Sequence, residues 1–123
     1  MSAERFVLAA GAYHLALGVF HLAFWKLFHW REELPKLSTI NRGVLQVLNV
    51  MLSYVFFAVA LGQLFHAESW TTSIFGRVAL ALMAGFWLLR AALQPLFWPR
   101  TTLGWGICGG FLFGAALHFA ALT

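Results

Sequence analysis

Charge is what this chain has least of. Among 123 residues, eight are Lys or Arg and four are Asp or Glu, which makes 10% in all. A soluble domain usually carries about 25% charged residues, so this sequence has too little charge to cover a water-facing surface. Intrinsic disorder is excluded as well, because disorder requires low hydrophobicity. Acidic residues are scarcer still: Glu4 lies at one edge of an apolar run and Glu68 in a loop. No paired carboxylates, Ser-His-Asp set or metal-ligand cluster is visible, and cation export driven through a buried carboxylate loses its usual chemical basis. The single cysteine, Cys108, cannot form an internal disulfide, and it excludes Cys-pair redox chemistry and Cys-rich zinc sites. It reads as a small apolar filler. There is no low-complexity segment, linker or evident tandem repeat.

What is there is apolar. The hydrophobic fraction is 62% and the mean hydropathy +0.81. Four apolar runs span residues 6–28, 44–65, 74–97 and 103–122. Each is close to the length needed to cross about 30 Å of hydrocarbon at about 1.5 Å per residue. A backbone in lipid must satisfy its own hydrogen bonds, so the runs predict helices. They are continuous and do not alternate, which excludes a transmembrane barrel. The expected fold class is all-α: a polytopic integral membrane protein, one four-helix domain over residues 1–123, in an antiparallel up-down-up-down bundle because the loops are short.

The connections support that reading. Residues 29–42 are polar and contain Pro35, and Ser38, Thr39 or Asn41 can cap the second helix. Thr71, Thr72 and Ser73 are cap candidates for the third. The Trp98-Pro99-Arg100-Thr101-Thr102 segment breaks one helix and starts the next. Trp25, Trp30, Trp70, Trp98 and Trp105 fall near span ends, as in an aromatic belt. The first run is long, holds His14 and His21 and lacks a small-residue cleavage site, so it is expected to be retained and not cleaved as a signal peptide.

The net charge of +4 would suggest nucleic acid in a soluble protein, but no extramembrane domain is present to offer a basic face. Instead it sets orientation. Lys26, Arg31, Lys36, Arg42, Arg90 and Arg100 flank the first and third loops, against Arg5 and Arg77 on the other side. The positive-inside rule then places the loops at residues 29–42 and 98–102 in the cytoplasm and both termini outside, in a plasma or inner membrane.

Polar residues at membrane depth are the functional candidates, because they are costly in lipid and usually face the interior. Gly11, His14, Gly18, His21, Trp25 and Phe28 form one stripe of the first helix. Arg42, Gln46, Asn49 and Ser53 form another on the second. Arg90 and Gln94 share a face of the third helix, with Arg77 near its other end. Gly106, Gly110, Gly114 and His118 recur every four residues in the fourth helix. Comparison of depths predicts one layer of His21, Asn49 and Arg90, with Gln46 and Gln94 just below it. A second layer holds Tyr13, His14, Arg77 and His118, with Gln63 and His66 near the surface. The candidate ligand-binding residues are His14, His21, Asn49, Arg90 and His118: imidazoles for hydrogen bonding or ligation, Arg90 for an anion or headgroup, and Asn49 for orientation. Each also has a packing alternative. The histidines, Gln46, Asn49 and Ser53 can serve as hydrogen-bonded glue, and Arg77 and Arg90 can snorkel to the interfaces. The glycine run can admit a neighbouring helix, in a homo-oligomer or with a partner subunit.

Three functions follow as expectations. The first is an accessory membrane protein that binds a lipid or quinone. The second is a b-type haem electron-transfer protein, with His14 or His21 opposite His118, the glycine run admitting the ring and Arg77 or Arg90 at the propionates. The third is a small anion or solute transporter passing Arg77 and Arg90. Whether the chain is an enzyme is left open. His14 and His21 lie two turns apart, about 10 Å, too far to share a metal ion. The stretch from Gly11 to Leu22 (Gly-Ala-Tyr-His-Leu-Ala-Leu-Gly-Val-Phe-His-Leu), a short loop and then Asn41-Arg42-Gly43 resembles small four-helix membrane families of the DoxX-like type. That resemblance implies a four-helix bundle with a membrane role and carries no catalytic residues with it.

Overall fold

The computed structural model describes residues 2–123, and among these it contains only helices and their connections. Four helices are long and apolar enough to cross a membrane: α1 (Ala3–Leu22), α4 (Thr39–Phe65), α6 (Ile74–Phe97) and α7 (Thr102–Leu122). At 20 to 27 residues each, they extend about 30–40 Å. Short helices link them: α2 (Phe24–Leu27), α3 (Trp30–Glu33), a 3-10 turn at Leu34–Lys36, and α5 (Ala67–Thr72). Large apolar side chains point outward along the long helices. Val47, Val50, Leu82 and Leu103 are each at least 60% exposed, a surface suited to hydrocarbon and not to water.

The caps follow the chemistry of the loops. Ser38 Oγ accepts from Asn41 N at 3.3 Å, so α4 begins about five residues before the apolar run that predicts it, taking polar residues into its first turn. Ser73 Oγ accepts from Gly76 N at 2.9 Å, and Thr101 Oγ1 from Gly104 N at 3.1 Å. These satisfy amides that a helix start leaves without intrahelical partners. The first run departs most from expectation. Its long helix stops at Leu22, and His29 turns the chain with a left-handed backbone (φ 52°). The stripe that buries Gly11, His14 and Gly18 therefore does not continue to Trp25, which is 49% exposed.

By their contacts the residues form two compact units: residues through Ala10 with Gln63–Thr123, and Gly11–Gly62. In the first, α6 buries Leu80, Ala84, Trp87, Ala91 and Gln94, a 4-3-4-3 seam of the kind that packs against another helix. Leu80 joins Val7 and Ala121 in one apolar cluster. Arg77 donates to the Leu122 carbonyl at 3.0 Å, and Trp87 stacks on Phe111 at 5.7 Å. Pro95 lies inside α6 and has no N–H for the Ala91 carbonyl four residues earlier. The Cys108 thiol of α7 donates to that carbonyl at 3.4 Å. Cys108 is thus more than apolar filler, because it serves the backbone group that Pro95 leaves unserved. Close approach at the α5–α6 corner requires Gly76, where a Cβ would run into the Ser69 carbonyl oxygen and the Trp70 backbone.

In the second unit, α4 buries Asn49, Ser53, Phe56 and Ala60 and faces α1 across small and aromatic residues. A Cβ on Gly18 would lie 2.8 Å from the Phe57 ring. His14 and His21 ring centroids lie 5.9 Å and 5.1 Å from that of Phe56.

Candidate functional site

The polar stripe of α4 resolves into different roles. Gln46 Nε2 donates to the Arg42 carbonyl at 3.0 Å, and Ser53 Oγ to the Asn49 carbonyl at 2.8 Å. Both bonds stay within the helix, a way for short polar side chains to be satisfied without a partner helix. Asn49 behaves differently. It is 7% exposed, and its Nδ2 reaches out of α4 to donate to the His21 carbonyl at 2.9 Å. That bond fixes the amide orientation, since the flipped rotamer would set oxygen against oxygen. Asn49 Oδ1 is thereby directed away from His21 O, and among the described residues it has no hydrogen-bond partner.

Oδ1 belongs to a residue that lines an open cleft of about 160 Å³. One wall is α4, through Leu45, Leu48 and Leu52 around Asn49. The other is built by the interruption of the first run, which brings His21, Phe24 and Trp30 to the same cleft. The His21 and Phe24 rings stack at 4.5 Å with 28° between planes, and Phe24 meets Trp30 edge to face at 5.6 Å. His21 Nδ1 lies 2.8 Å from the Leu17 carbonyl; a carbonyl only accepts, so Nδ1 carries a proton. The cleft therefore combines aliphatic and aromatic walls with Asn49, whose Oδ1 is a buried, unsatisfied acceptor. Among these residues the sequence singles out His21 and Asn49. Phe24 is not distinguished from other apolar residues, and Trp30 reads as a belt residue because the turn at His29, without glycine or proline, leaves no local signal.

The remaining candidates make contacts of their own. His14 is fully buried against Phe56 and edge-on to Tyr13 at 5.8 Å. In the other unit, the Arg90 guanidinium lies over the Phe111 ring at 4.3 Å, a cation–π contact. His118 is fully buried, with Nδ1 2.7 Å from the Gly114 carbonyl and Nε2 3.1 Å from Gln63 Nε2. The carbonyl requires the proton on Nδ1, so Nε2 accepts from the Gln63 amide. The sequence sets Gln63 near the surface, apart from the layer of His118; here Gln63 is fully buried and meets His118. Gly106, Gly109 and Gly110 of α7 have nothing within 4 Å of a Cβ, whereas Gly114 is buried inside the chain. Among the described residues no three His, Cys, Asp or Glu side chains gather as a metal site. No family model, curated protein or solved structure matches this chain.

Proposed function

We propose that this chain is an integral membrane protein that binds an amphiphilic small molecule of the bilayer, a lipid or a quinone, in the cleft beside Asn49. The observation that carries this reading is the Asn49 carbonyl oxygen, buried and without a hydrogen-bond partner among the described residues, on a residue that lines a cleft walled by Phe24, Trp30 and leucines. A buried acceptor in an apolar setting is costly unless it is hydrogen-bonded, and small-molecule sites combine apolar walls with one or two placed polar groups. Cavities of about 150 Å³ with apolar linings hold a benzene-sized ring, so the cleft suits the head of an amphiphile whose chain lies in the surrounding lipid.

In this proposal α1, α4, α6 and α7 cross the membrane as an antiparallel bundle. Supporting it, the start of α6 meets the end of α7 through Arg77 and Leu122, and the far halves meet through Ala91 and Cys108. The Lys/Arg bias orients residues 29–42 and 98–102 to the cytoplasm and both termini outside, in a plasma or inner membrane. A Cβ at Gly106 or Gly110 would meet nothing within 4 Å, and on this reading that face is where a second copy or a partner subunit would approach. The likeness to DoxX-like families, carried by residues 11–22 and 41–43, concerns this four-helix architecture. A haem role for His118 has less support, since ligation would need the nitrogen that Gln63 engages.

The test is co-extraction. Protein purified in mild detergent is compared with Leu48→Trp, which fills the cleft from an exposed position (Leu48 is 61% exposed). One class of amphiphile is expected enriched over bulk lipid with the native chain and lost with the variant. Identical extracts would overturn the proposal.

A further inference from the structure

The polarity of the cleft narrows its ligand, on the reading that the cleft binds an amphiphile at all. Asn49 is held in one orientation by the His21 carbonyl, and its unsatisfied group beside the cleft is the acceptor Oδ1. A ligand carbonyl, ether or carboxylate placed there would set oxygen against oxygen. A ligand hydroxyl would satisfy Oδ1 and lift the burial penalty. The walls add shape: His21 and Phe24 stack nearly parallel, with Trp30 edge-on to Phe24, and aromatic surfaces of this kind favour a flat ring. We infer that the site recognises a planar ring head through a ring hydroxyl donating to Asn49 Oδ1, which means a phenol or hydroquinone in preference to the corresponding ether or quinone. In an amphiphile that exists in both oxidation states, the cleft holds the reduced form.

Probes that differ only in donor capacity test this. Full-length protein in detergent micelles is dialysed to equilibrium against 1-naphthol, 1-methoxynaphthalene, 1,4-naphthoquinone or monoolein, and bound probe is quantified by mass spectrometry. 1-Naphthol is expected to bind at least about tenfold tighter than the methyl ether, in keeping with the cost of an unsatisfied buried acceptor, and tighter than the quinone. In Asn49→Leu the preference for naphthol over its ether should fall to about onefold. Leu48→Trp, altered only at the exposed rim, should lose naphthol and ether alike, which keeps the test open if Asn49→Leu does not fold. Equal binding of naphthol and ether by the native chain, or tighter binding of the ether or quinone, would overturn the hydroxyl preference while leaving the cleft as a binding site. Monoolein binding as tightly as naphthol would overturn the ring preference and point to a glycerolipid hydroxyl. Native protein that binds none of the four would overturn both this inference and the proposed function.

Discussion

Two buried amides show how one functional group takes different roles. Gln63 and His118 satisfy each other inside the protein, whereas Asn49 satisfies a backbone carbonyl with one atom and leaves the other at a cleft. The first pair behaves as structural glue. A double-mutant cycle with Gln63→Leu and His118→Leu, followed by thermal unfolding in detergent, should give a coupling energy of about 0.6–1.7 kcal/mol, the range for hydrogen bonds between membrane helices. Coupling near zero would remove that bond from the account. The sequence makes both amides stand out against 62% apolar residues, and it makes Asn49 a binding candidate. It cannot separate their roles: which atom of an amide is engaged depends on a neighbour 28 residues away for Asn49 and 55 residues away for Gln63.

At the scale of elements, the long helices are legible because hydropathy runs and caps are local properties. Ser73 and Thr101 cap where their spacing says they can. The segment from Ala23 to Leu37 is not legible. It breaks without glycine and turns at His29 in a left-handed conformation that L-residues rarely adopt, yet that turn leads into the helix that brings Trp30 to the cleft. The pairing of Pro95 with Cys108 is similar, since a proline's freed carbonyl and its donor lie on different helices. Cys108→Ala should lower stability in detergent by about 0.5–1.5 kcal/mol, whereas Cys108→Ser, which keeps a donor, should not. Thermal unfolding followed by circular dichroism distinguishes them, and equal loss in both variants would show that the thiol acts by packing alone.

At the scale of the whole molecule, the scarcity of charge sets the frame. With 10% charged residues and large apolar side chains exposed along four long helices, the surface suits lipid. The same scarcity makes a buried acceptor informative, because no charged side chain lines the cleft among the described residues. The central claim is that this acceptor marks a site for a membrane amphiphile. Its most direct test is photo-crosslinking in native membranes from a diazirine-bearing residue introduced at position 48, on the rim of the cleft, with position 47, exposed and not lining that cleft, as a control (Val47 is 61% exposed). Mass spectrometry of the adducts should find one hydroxyl-bearing amphiphile enriched at position 48 and bulk phospholipid at position 47. The same bulk phospholipid at both positions would contradict the account.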